Sequence, residues 1–259
     1  MREKLYVFIL IIVFVVFGFA IVRSDESKPD NVEEAYSVTD KPVPQKANTT
    51  AKSTQDMFLG TVGFRGPIKA LPKWSRVLNE MAKSDYSLSR HLANGAGGES
   101  KRWLNFAQSI KGLSRKEKID KVNTYFNKWQ YRTDQDVYRV PDYWAIPSEF
   151  VRNSGDCEDY SIIKYFALRE LGFSQDDVRI VVVRDQIRGI AHAILVVFDG
   201  GTVWLLDNQT DLLLTQERYS HYLPQYSINE KYRWSHVPVQ KKKVAPQGPA
   251  SGTNPVLRK

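Results

Sequence analysis

An apolar run without a charged residue lies near the start of the chain, from Leu5 to Val22, directly behind Arg2 and Lys4. It reaches the lower length limit for crossing a bilayer, which is roughly 18 residues. Basic residues before such a run keep that side of the membrane cytoplasmic. We therefore interpret residues 1–23 as a transmembrane or signal segment, and we expect the rest of the chain to be exported.

Two other stretches contain almost no large apolar residues. Residues 24–56 are rich in Ser, Thr, Pro, Asp and Lys, and residues 239–259 have a similarly polar composition. Segments of this kind cannot bury enough apolar surface to fold. We predict a flexible linker over 24–56, a folded domain over 57–238 and a disordered basic tail over 239–259.

The first half of the folded region shows apolar residues at helical spacing. The segments 68–84 and 114–130 both follow the pattern i, i+3, i+4, i+7, and Ser114 is suited to cap the second one. The segment 158–172 has the same periodicity and ends at Gly172. We predict that the first half is helical and that the helix over 158–172 is amphipathic.

The second half changes to the composition of β-strands. The segment 178–185 is rich in β-branched residues, and 190–208 forms two apolar runs around Asp199-Gly200-Gly201, a typical hairpin turn. Helices followed by antiparallel strands predict an α+β fold.

The charge and the cysteine content limit the functional classes. The 259 residues carry a formal net charge of +8, part of it in the run Lys241 to Lys243. No basic stripe interleaved with aromatic residues is present, so we do not predict a nucleic-acid partner. Cys157 is the only cysteine, which excludes a disulfide within the chain and leaves an intermolecular, reactive or inert buried thiol.

Three residues form a candidate catalytic set. Cys157 directly precedes the helix over 158–172, where the helix dipole should lower its pKa. His192 lies in the middle of an apolar strand, and Asp207 ends the next strand, which the hairpin could bring close to it. Each residue alone has an ordinary explanation: an inert thiol, a core histidine or a turn aspartate. Together they are typical of a nucleophile, a general base and the group that orients the base.

The sequence around these residues resembles a known family. "GDCEDY", "KYFALRELG", "AHAILVV" and "WLLDN", together with residues 59–74 and 142–150, resemble the bacterial transglutaminase-like cysteine proteinases, the LapG family. The resemblance implies a papain/transglutaminase-like fold, with Cys157 as nucleophile, His192 as base and Asp207 as orienting group. It also implies a periplasmic endopeptidase that cleaves the N-terminal region of a large, LapA-like surface adhesin and so disperses a biofilm.

The same resemblance implies a regulator and a location. Family members are restrained by an inner-membrane, LapD-like receptor of cyclic-di-GMP. If the N-terminal segment is not cleaved, residues 5–22 would anchor this protein to the inner membrane instead of leaving it free in the periplasm.

Three acids surround the thiol, although uncompensated acids would raise its pKa. Glu158 and Asp159 could complement the helix dipole, but this does not explain why acids cluster around a cysteine. A bound Ca²⁺ would neutralise them, and the resemblance implies that family members bind calcium through the acids around the cysteine. We carry this role to Asp156 and Glu158, to Asp159, and to Asp199 as a ligand from a nearby loop. One cysteine makes a zinc site an unfavourable alternative.

Three other functions are compatible with the sequence. A transglutaminase would use the same triad and calcium, and would differ in resolving the acyl-enzyme with an amine. A peptidoglycan amidase would share the Cys-His chemistry, although no wall-binding repeat is present. A non-catalytic, membrane-tethered interaction module would carry the three residues as a relic.

Overall fold

The computed structural model describes residues 54–68 and 71–239. The predicted membrane segment 1–23, nearly all of the predicted linker 24–56 and the tail beyond Val239 lie outside this part of the chain. Within the described ranges, no helix combines the length and apolarity needed to cross a bilayer. The last three residues of the predicted linker, Thr54–Asp56, form a 3-10 turn whose Gln55 carbonyl accepts a hydrogen bond from Arg179 at 2.8 Å.

The described residues form seven α-helices and eight β-strands, consistent with the predicted α+β class. The helices are α1 (Pro72–Ala82), α2 (Leu88–Gly95), α3 (Gly97–Ser109), α4 (Arg115–Phe126), α5 (Asp134–Val137), α6 (Pro147–Asn153) and α7 (Cys157–Glu170). The strands are β1 (Met57–Phe58), β2 (Thr61–Pro67), β3 (Val178–Asp185), β4 (Ile190–Asp199), β5 (Thr202–Leu206), β6 (Leu214–Thr215), β7 (Tyr222–Ile228) and β8 (Tyr232–Pro238).

All eight strands pair antiparallel in one sheet, in the order β1-β2-β8-β7-β3-β4-β5-β6. The predicted hairpin joins β4 to β5, and Gly200 and Gly201 have φ angles of 57° and 88°. Two successive positive φ angles match a type I′ turn, which glycine adopts without strain. The prediction that the first half is helical is incomplete, because β1 and β2 come before α1 and join the sheet beside the C-terminal strand β8.

The helix α7 lies at the centre of the fold and packs on β3 and β4. Ten consecutive residues, from Asp159 to Leu168, are buried. The prediction of an amphipathic helix is therefore wrong: helices α2, α4 and α6 cover the faces that the sheet does not, and a helix enclosed on all sides has no solvent-facing stripe. Its predicted end is confirmed, since Gly172 follows the helix with a φ angle of 93°.

The sheet separates two hydrophobic clusters. On the helical side, Leu195 and Val197 of β4 pack with Phe166 of α7 and the other helices. On the opposite side, Ile194 and Val196 pack with residues that include Phe58 and Tyr219. Successive residues of β4 thus face opposite sides of the sheet, as in any strand. The first residues of β4 lie beside the start of α7, because the N–H of Ala193 interacts with the Cys157 thiol.

Candidate active site

Cys157 is the first residue of α7, as predicted, and its side chain is half-buried. The turn before it depends on a glycine. A Cβ atom on Gly155 would lie 2.1 Å from Oδ2 of Asp159, far inside van der Waals contact. The absence of a side chain at Gly155 thus allows the Asp159 carboxylate to reach the backbone in front of the nucleophile.

Asp159 fastens this turn to the preceding loop. Its Oδ1 accepts a hydrogen bond from the backbone N–H of Ala145 at 2.7 Å, and its Oδ2 accepts one from the N–H of Asp156 at 3.2 Å. The residue has no solvent exposure. Burial raises the pKa of Asp159 well above its ordinary value, and the charge of Asp156 adds to the rise. Both oxygens already hold backbone donors, so the first role of this acid is to position the start of α7.

His192 and Asp207 are in direct contact, as the hairpin prediction proposed. Nε2 of His192 lies 2.9 Å from Oδ1 of Asp207, and both side chains are buried. Burial disfavours the charged carboxylate, but the hydrogen bond and charge of His192 outweigh it and lower the pKa of Asp207. Nε2 faces Asp207, and Nδ1 has the Gln209 side-chain amide 3.5 Å away. Because that second contact is long, Nδ1 is the ring atom better placed to exchange a proton with a substrate or a thiol.

Two further residues complete the surroundings of this pair. The Tyr222 hydroxyl donates a hydrogen bond of 2.7 Å to Oδ2 of Asp207. The backbone N–H of Gln209 donates to Oδ1 of Asp207 at 3.0 Å, and the Gln209 side-chain amide lies 3.0 Å from Nε2 of His192. The carboxylate is therefore held by three partners in a fixed orientation.

The strand that carries His192 reaches Cys157, but the two side chains are not hydrogen-bonded. The backbone N–H of Ala193, the residue after His192, interacts with the Cys157 thiol. Among the hydrogen bonds of the described residues, none joins the thiol to the imidazole, and Sγ of Cys157 instead lies 3.2 Å from Oε2 of Glu158. A cation held by Glu158 would compete with the thiol for this carboxylate.

The expected low thiol pKa is not found. Burial raises the pKa of the Cys157 thiol well above its ordinary value, and the charges of Glu158 and Asp156 raise it further, while the Ala193 N–H acts in the opposite direction. The helix N-terminus alone therefore does not activate the nucleophile. Burial is the largest cause of the raised thiol pKa, and the neighbouring acids add to it.

These acids form an oxygen-rich cluster larger than the sequence predicted. Asp134 can offer a ligand atom within 4.8 Å of those of Asp156 and Asp159, and within the same distance of those of Asp142 and Glu158. Burial, the Glu158 hydrogen bond and the Glu158 charge raise the pKa of Asp156 to about 8. Burial also raises the pKa of Asp134 to about 6.

The cluster fits a hard cation. Oδ1 of Asp134 and Oδ1 of Asp156 are both buried, and neither has a hydrogen-bond partner in the described part of the chain. Buried carboxylate oxygens without a donor are costly. Several such oxygens converging in irregular geometry match the preferences of Ca²⁺ better than those of Mg²⁺ or Zn²⁺.

Asp199 does not join this cluster. It ends β4 at the hairpin, seven residues beyond His192, which corresponds to roughly 23 Å along an extended strand. Its Oδ1 accepts a hydrogen bond from Nε of Arg115 at 2.6 Å. The sequence analysis placed the ligand from a nearby loop at Asp199, but the structure places Asp134 with the acids around the thiol instead.

Sequence reasoning also missed Asp134, Gln209 and Tyr222 as members of the site. Asp134 lies in an irregular stretch without periodicity. Only its closeness to other acids in the sequence, such as Asp136, could have marked it as a candidate ligand. Gln209 and Tyr222 reach the site through strand pairing, which a linear pattern does not contain.

An α+β fold with a cysteine at the start of a central helix, beside a strand histidine that contacts an aspartate after the next strand, defines the transglutaminase-like class of cysteine hydrolases. The family model described as bacterial transglutaminase-like cysteine proteinase, BTLCP, matches residues 100–242, which is more than half of the chain. The chain belongs to the bacterial transglutaminase-like cysteine proteinases.

Solved structures of a proteinase of this type are similar to the chain. Calcium-bound LapG of Legionella pneumophila is 28% identical, with a TM-score of 0.51, over 65% of this chain and 93% of that one. LapG of the same organism is also matched at 29% identity, with a TM-score of 0.49, over 66% and 90%, and so is its EGTA-treated form, over 66% and 87%. No curated protein sequence matches significantly. The similarity supports a cysteine proteinase of the LapG type with a transglutaminase-like fold, as the resemblance implied.

Proposed function

We propose that the protein is a calcium-dependent, periplasmic cysteine endopeptidase in which Cys157 is the nucleophile, His192 the general base and Asp207 the group that orients His192. The observation that carries this proposal is the buried His192–Asp207 pair, 2.9 Å apart, in which His192 lies on the strand next to the thiol and Asp207 directly follows the neighbouring strand. Family membership supports proteolysis over other chemistry of this triad.

In the proposed mechanism, Nδ1 of His192 accepts the proton of the Cys157 thiol, and the thiolate attacks the carbonyl carbon of the scissile peptide bond. The imidazolium formed is stabilised by Asp207. It then gives its proton to the leaving amine, which departs as the acyl-enzyme forms. A water molecule, deprotonated by His192, hydrolyses the thioester and regenerates the thiol.

The oxyanion of the tetrahedral intermediate needs donors close to the sulfur. The backbone N–H of Cys157 is one candidate, because the first N–H groups of a helix have no acceptor within the helix. At this position the dipole of α7 also favours a developing negative charge.

Asp134, Asp156 and Glu158 would hold the calcium ion, and Asp142 and Asp159 are within reach of the same cluster. The bound ion would supply positive charge that offsets the acids around the thiol. The calcium-bound and EGTA-treated structures of Legionella LapG support this part of the proposal.

The family resemblance supports the biological role that we propose. The substrate is the N-terminal region of a large LapA-like surface adhesin, whose cleavage releases the adhesin and promotes biofilm dispersal. A LapD-like inner-membrane receptor restrains the enzyme when cyclic-di-GMP is high. The apolar run from Leu5 to Val22 supports export and a tether to the inner membrane.

The test is cleavage of a recombinant N-terminal adhesin fragment by the purified full chain in calcium. Cys157→Ala, His192→Ala and Asp207→Asn should each lower the rate at least about 100-fold. Asp199→Asn, at the far end of β4, is the matched control and should cleave like the wild type. Unchanged cleavage by Cys157→Ala would overturn the mechanism.

The same assay separates the alternatives. Incorporation of a primary amine into glutamine residues would indicate a transglutaminase, and release of muropeptides from peptidoglycan would indicate an amidase. Neither reaction is expected. A chain that binds the fragment without cleaving it, with or without calcium, would support the interaction module instead.

A further inference from the structure

A fully buried lysine lies inside the helix that carries the nucleophile. The Lys164 side chain is 1% exposed, and burial lowers the pKa of Lys164 to about 7. Lys164 follows Cys157 by seven positions, so both residues project from the same face of α7, two turns apart. Burying an ammonium group is costly unless it is fully hydrogen-bonded, so its partners need an explanation.

Both partners of the ammonium group are asparagines on α4 or its C-cap. Nζ of Lys164 donates to Oδ1 of Asn123 at 2.8 Å and to Oδ1 of Asn127 at 2.6 Å. An amide whose oxygen accepts from a cation must direct its NH₂ group elsewhere. Lys164 therefore fixes the direction in which both asparagines donate.

The asparagine NH₂ groups hold the loop that follows β5. Nδ2 of Asn127 lies 3.0 Å from the carbonyl oxygen of Asp207 and 2.9 Å from that of Thr210. Nδ2 of Asn123 donates to the Thr210 carbonyl at 3.0 Å, and Oδ1 of Asp211 is also 3.0 Å from Nδ2 of Asn127. The loop 207–211 is thus attached, through two amides, to a cation on the nucleophile helix.

We propose that Lys164 is a positioning residue: acting through Asn123 and Asn127, it holds the backbone of loop 207–211 so that Asp207 and Gln209 meet His192 beside Cys157. This inference rests on the proposed function, because it assigns Lys164 a part in aligning the proposed triad. It adds a link between the nucleophile helix and the orienting acid that does not pass through the sheet.

A purely structural role would be filled better by an apolar residue. A methionine of similar length, together with apolar residues in place of the two asparagines, would avoid the cost of burying the charge, and replacing a whole buried polar set in this way is often neutral or stabilising. The ammonium group of a lysine has three donors and no acceptor, so it can orient two amide oxygens at once. The hydrogen bonds of Lys164 thus specify the position of the loop more than they stabilise the fold.

The experiment compares three variants of the full chain. Lys164→Met removes the cation. Asn127→Asp keeps an acceptor for Lys164, and even adds a charge pair, but it loses the donors to the loop and repels Asp211. Leu168→Ala, on the same helix one turn further, removes core packing without touching the network, so it controls for lost stability.

Two measurements are made on each variant. One is kcat and KM for the adhesin fragment, below the melting temperature of every variant. The other is the NMR signal of the ring N–H of ¹⁵N-labelled His192, which reports the hydrogen bond to Asp207 without any substrate.

We expect Lys164→Met and Asn127→Asp to lower kcat about 10- to 100-fold with little change in KM, and to shift or broaden the His192 signal. Leu168→Ala should lower the melting temperature but keep kcat within about two-fold. If Asn127→Asp is folded and shows wild-type kcat and an unchanged His192 signal, the proposal is overturned, even if Lys164→Met does not fold.

Failure of the proposed function would look different. In that case the wild type and Cys157→Ala would behave alike towards the fragment. The His192 signal would still show whether Lys164 and Asn127 control the contact between His192 and Asp207.

Discussion

The Tyr222 hydroxyl donates a hydrogen bond of 2.7 Å to the one oxygen of the Asp207 carboxylate that His192 does not contact. The contact joins β7 to the end of β5, across the two intervening strands β3 and β4. Burial raises the pKa of Asp207, but the hydrogen bond and charge of His192, the Gln209 N–H and the Tyr222 hydroxyl lower it, so that the pKa falls below its ordinary value. Tyr222 therefore helps to keep Asp207 ionised.

Removing this hydroxyl should slow catalysis. A hydrogen bond to a charged group contributes about 1.5–3 kcal/mol, so Tyr222→Phe should lower kcat about 10-fold in the cleavage assay. Tyr219 offers a matched control: it stacks on Tyr222 with ring centroids 5.2 Å apart, and its buried hydroxyl has no partner in the described part of the chain. Tyr219→Phe should therefore leave kcat unchanged, and equal losses in both variants would contradict the role of Tyr222.

The glycine before the nucleophile should not tolerate a side chain. In Gly155→Ala the new Cβ would stand 2.1 Å from Oδ2 and 2.8 Å from Cγ of Asp159, a buried carboxylate that cannot move without releasing two backbone donors. We expect the variant to lose about 3 kcal/mol of unfolding free energy and most of its activity. The unfolding free energy is measured by denaturant titration, with tryptophan fluorescence as the signal.

Gly98→Ala is the control for this substitution. Gly98 lies in the first turn of α3, and a Cβ there would meet nothing within 4 Å. Alanine favours helix over glycine by about 1 kcal/mol, so this variant should be as stable as the wild type or more stable. A Gly155→Ala variant that is equally stable would show that the turn can relax around Asp159.

Calcium binding should depend on Asp134 and not on Asp199. Asp134→Asn should weaken calcium affinity, measured by calorimetry, at least about 10-fold, because it removes one carboxylate ligand from the cluster. In chelator the same variant should melt at a higher temperature than the wild type, because it relieves repulsion among buried acids.

Asp199→Asn tests the alternative ligand predicted from the sequence. Its partner is Arg115, in a pair with both side chains partly exposed, so its loss should change stability by less than about 1 kcal/mol. Calcium affinity should stay unchanged. A large loss of affinity in Asp199→Asn with none in Asp134→Asn would reverse the assignment made from the structure.

Acid sensitivity should come in part from His236. Its ring lies between Oγ1 of Thr61 at 3.1 Å and Oγ of Ser227 at 2.8 Å. Burial, with the charge of Arg179, lowers the pKa of His236 to about 4. The unfolded chain takes up this proton near pH 6.5 and the folded chain only near pH 4. The stability that the neutral His236 ring contributes is therefore fully present above pH 6.5, and it is lost as the pH falls towards 4.

The expected loss from this group is about 3 kcal/mol. His236→Gln removes the titration, so the melting temperature of the variant should fall less than that of the wild type between pH 7 and pH 4.5. The buried acids respond to pH in both proteins, and the difference between the two curves isolates His236. If the melting temperatures of the two proteins fall in parallel with pH, the pKa of His236 is not lowered in the folded chain.

Local patterns were sufficient to predict the elements that carry the proposed triad. Ser114 caps α4 as expected, with the reciprocal bond to Glu117, and the double-glycine turn set the hairpin that brings Asp207 to His192. These predictions worked because turn chemistry and helix capping act over three or four residues.

Features that depend on distant contacts were not predictable in this way. The amphipathic interpretation of α7 failed because periodicity describes one helix and not what covers it. Lys164 interrupts the apolar face of that helix, and no local signal reveals Asn123 and Asn127, which lie 41 and 37 residues away. The acid that completes the proposed calcium cluster, Asp134, comes from a stretch with no periodicity at all.

The pairing of β2 with β8 has a consequence for the synthesis of the protein. The Thr61 hydroxyl and the His236 ring, which meet across this pair, are 175 residues apart in the chain. Closing so long a loop costs entropy before any contact compensates it. Almost the whole domain must therefore be synthesised before β2 pairs with β8, and until then the edge of β2 opposite β1 is unpaired. A chaperone that binds extended segments could therefore bind residues 61–67 for most of the time that the chain takes to be synthesised.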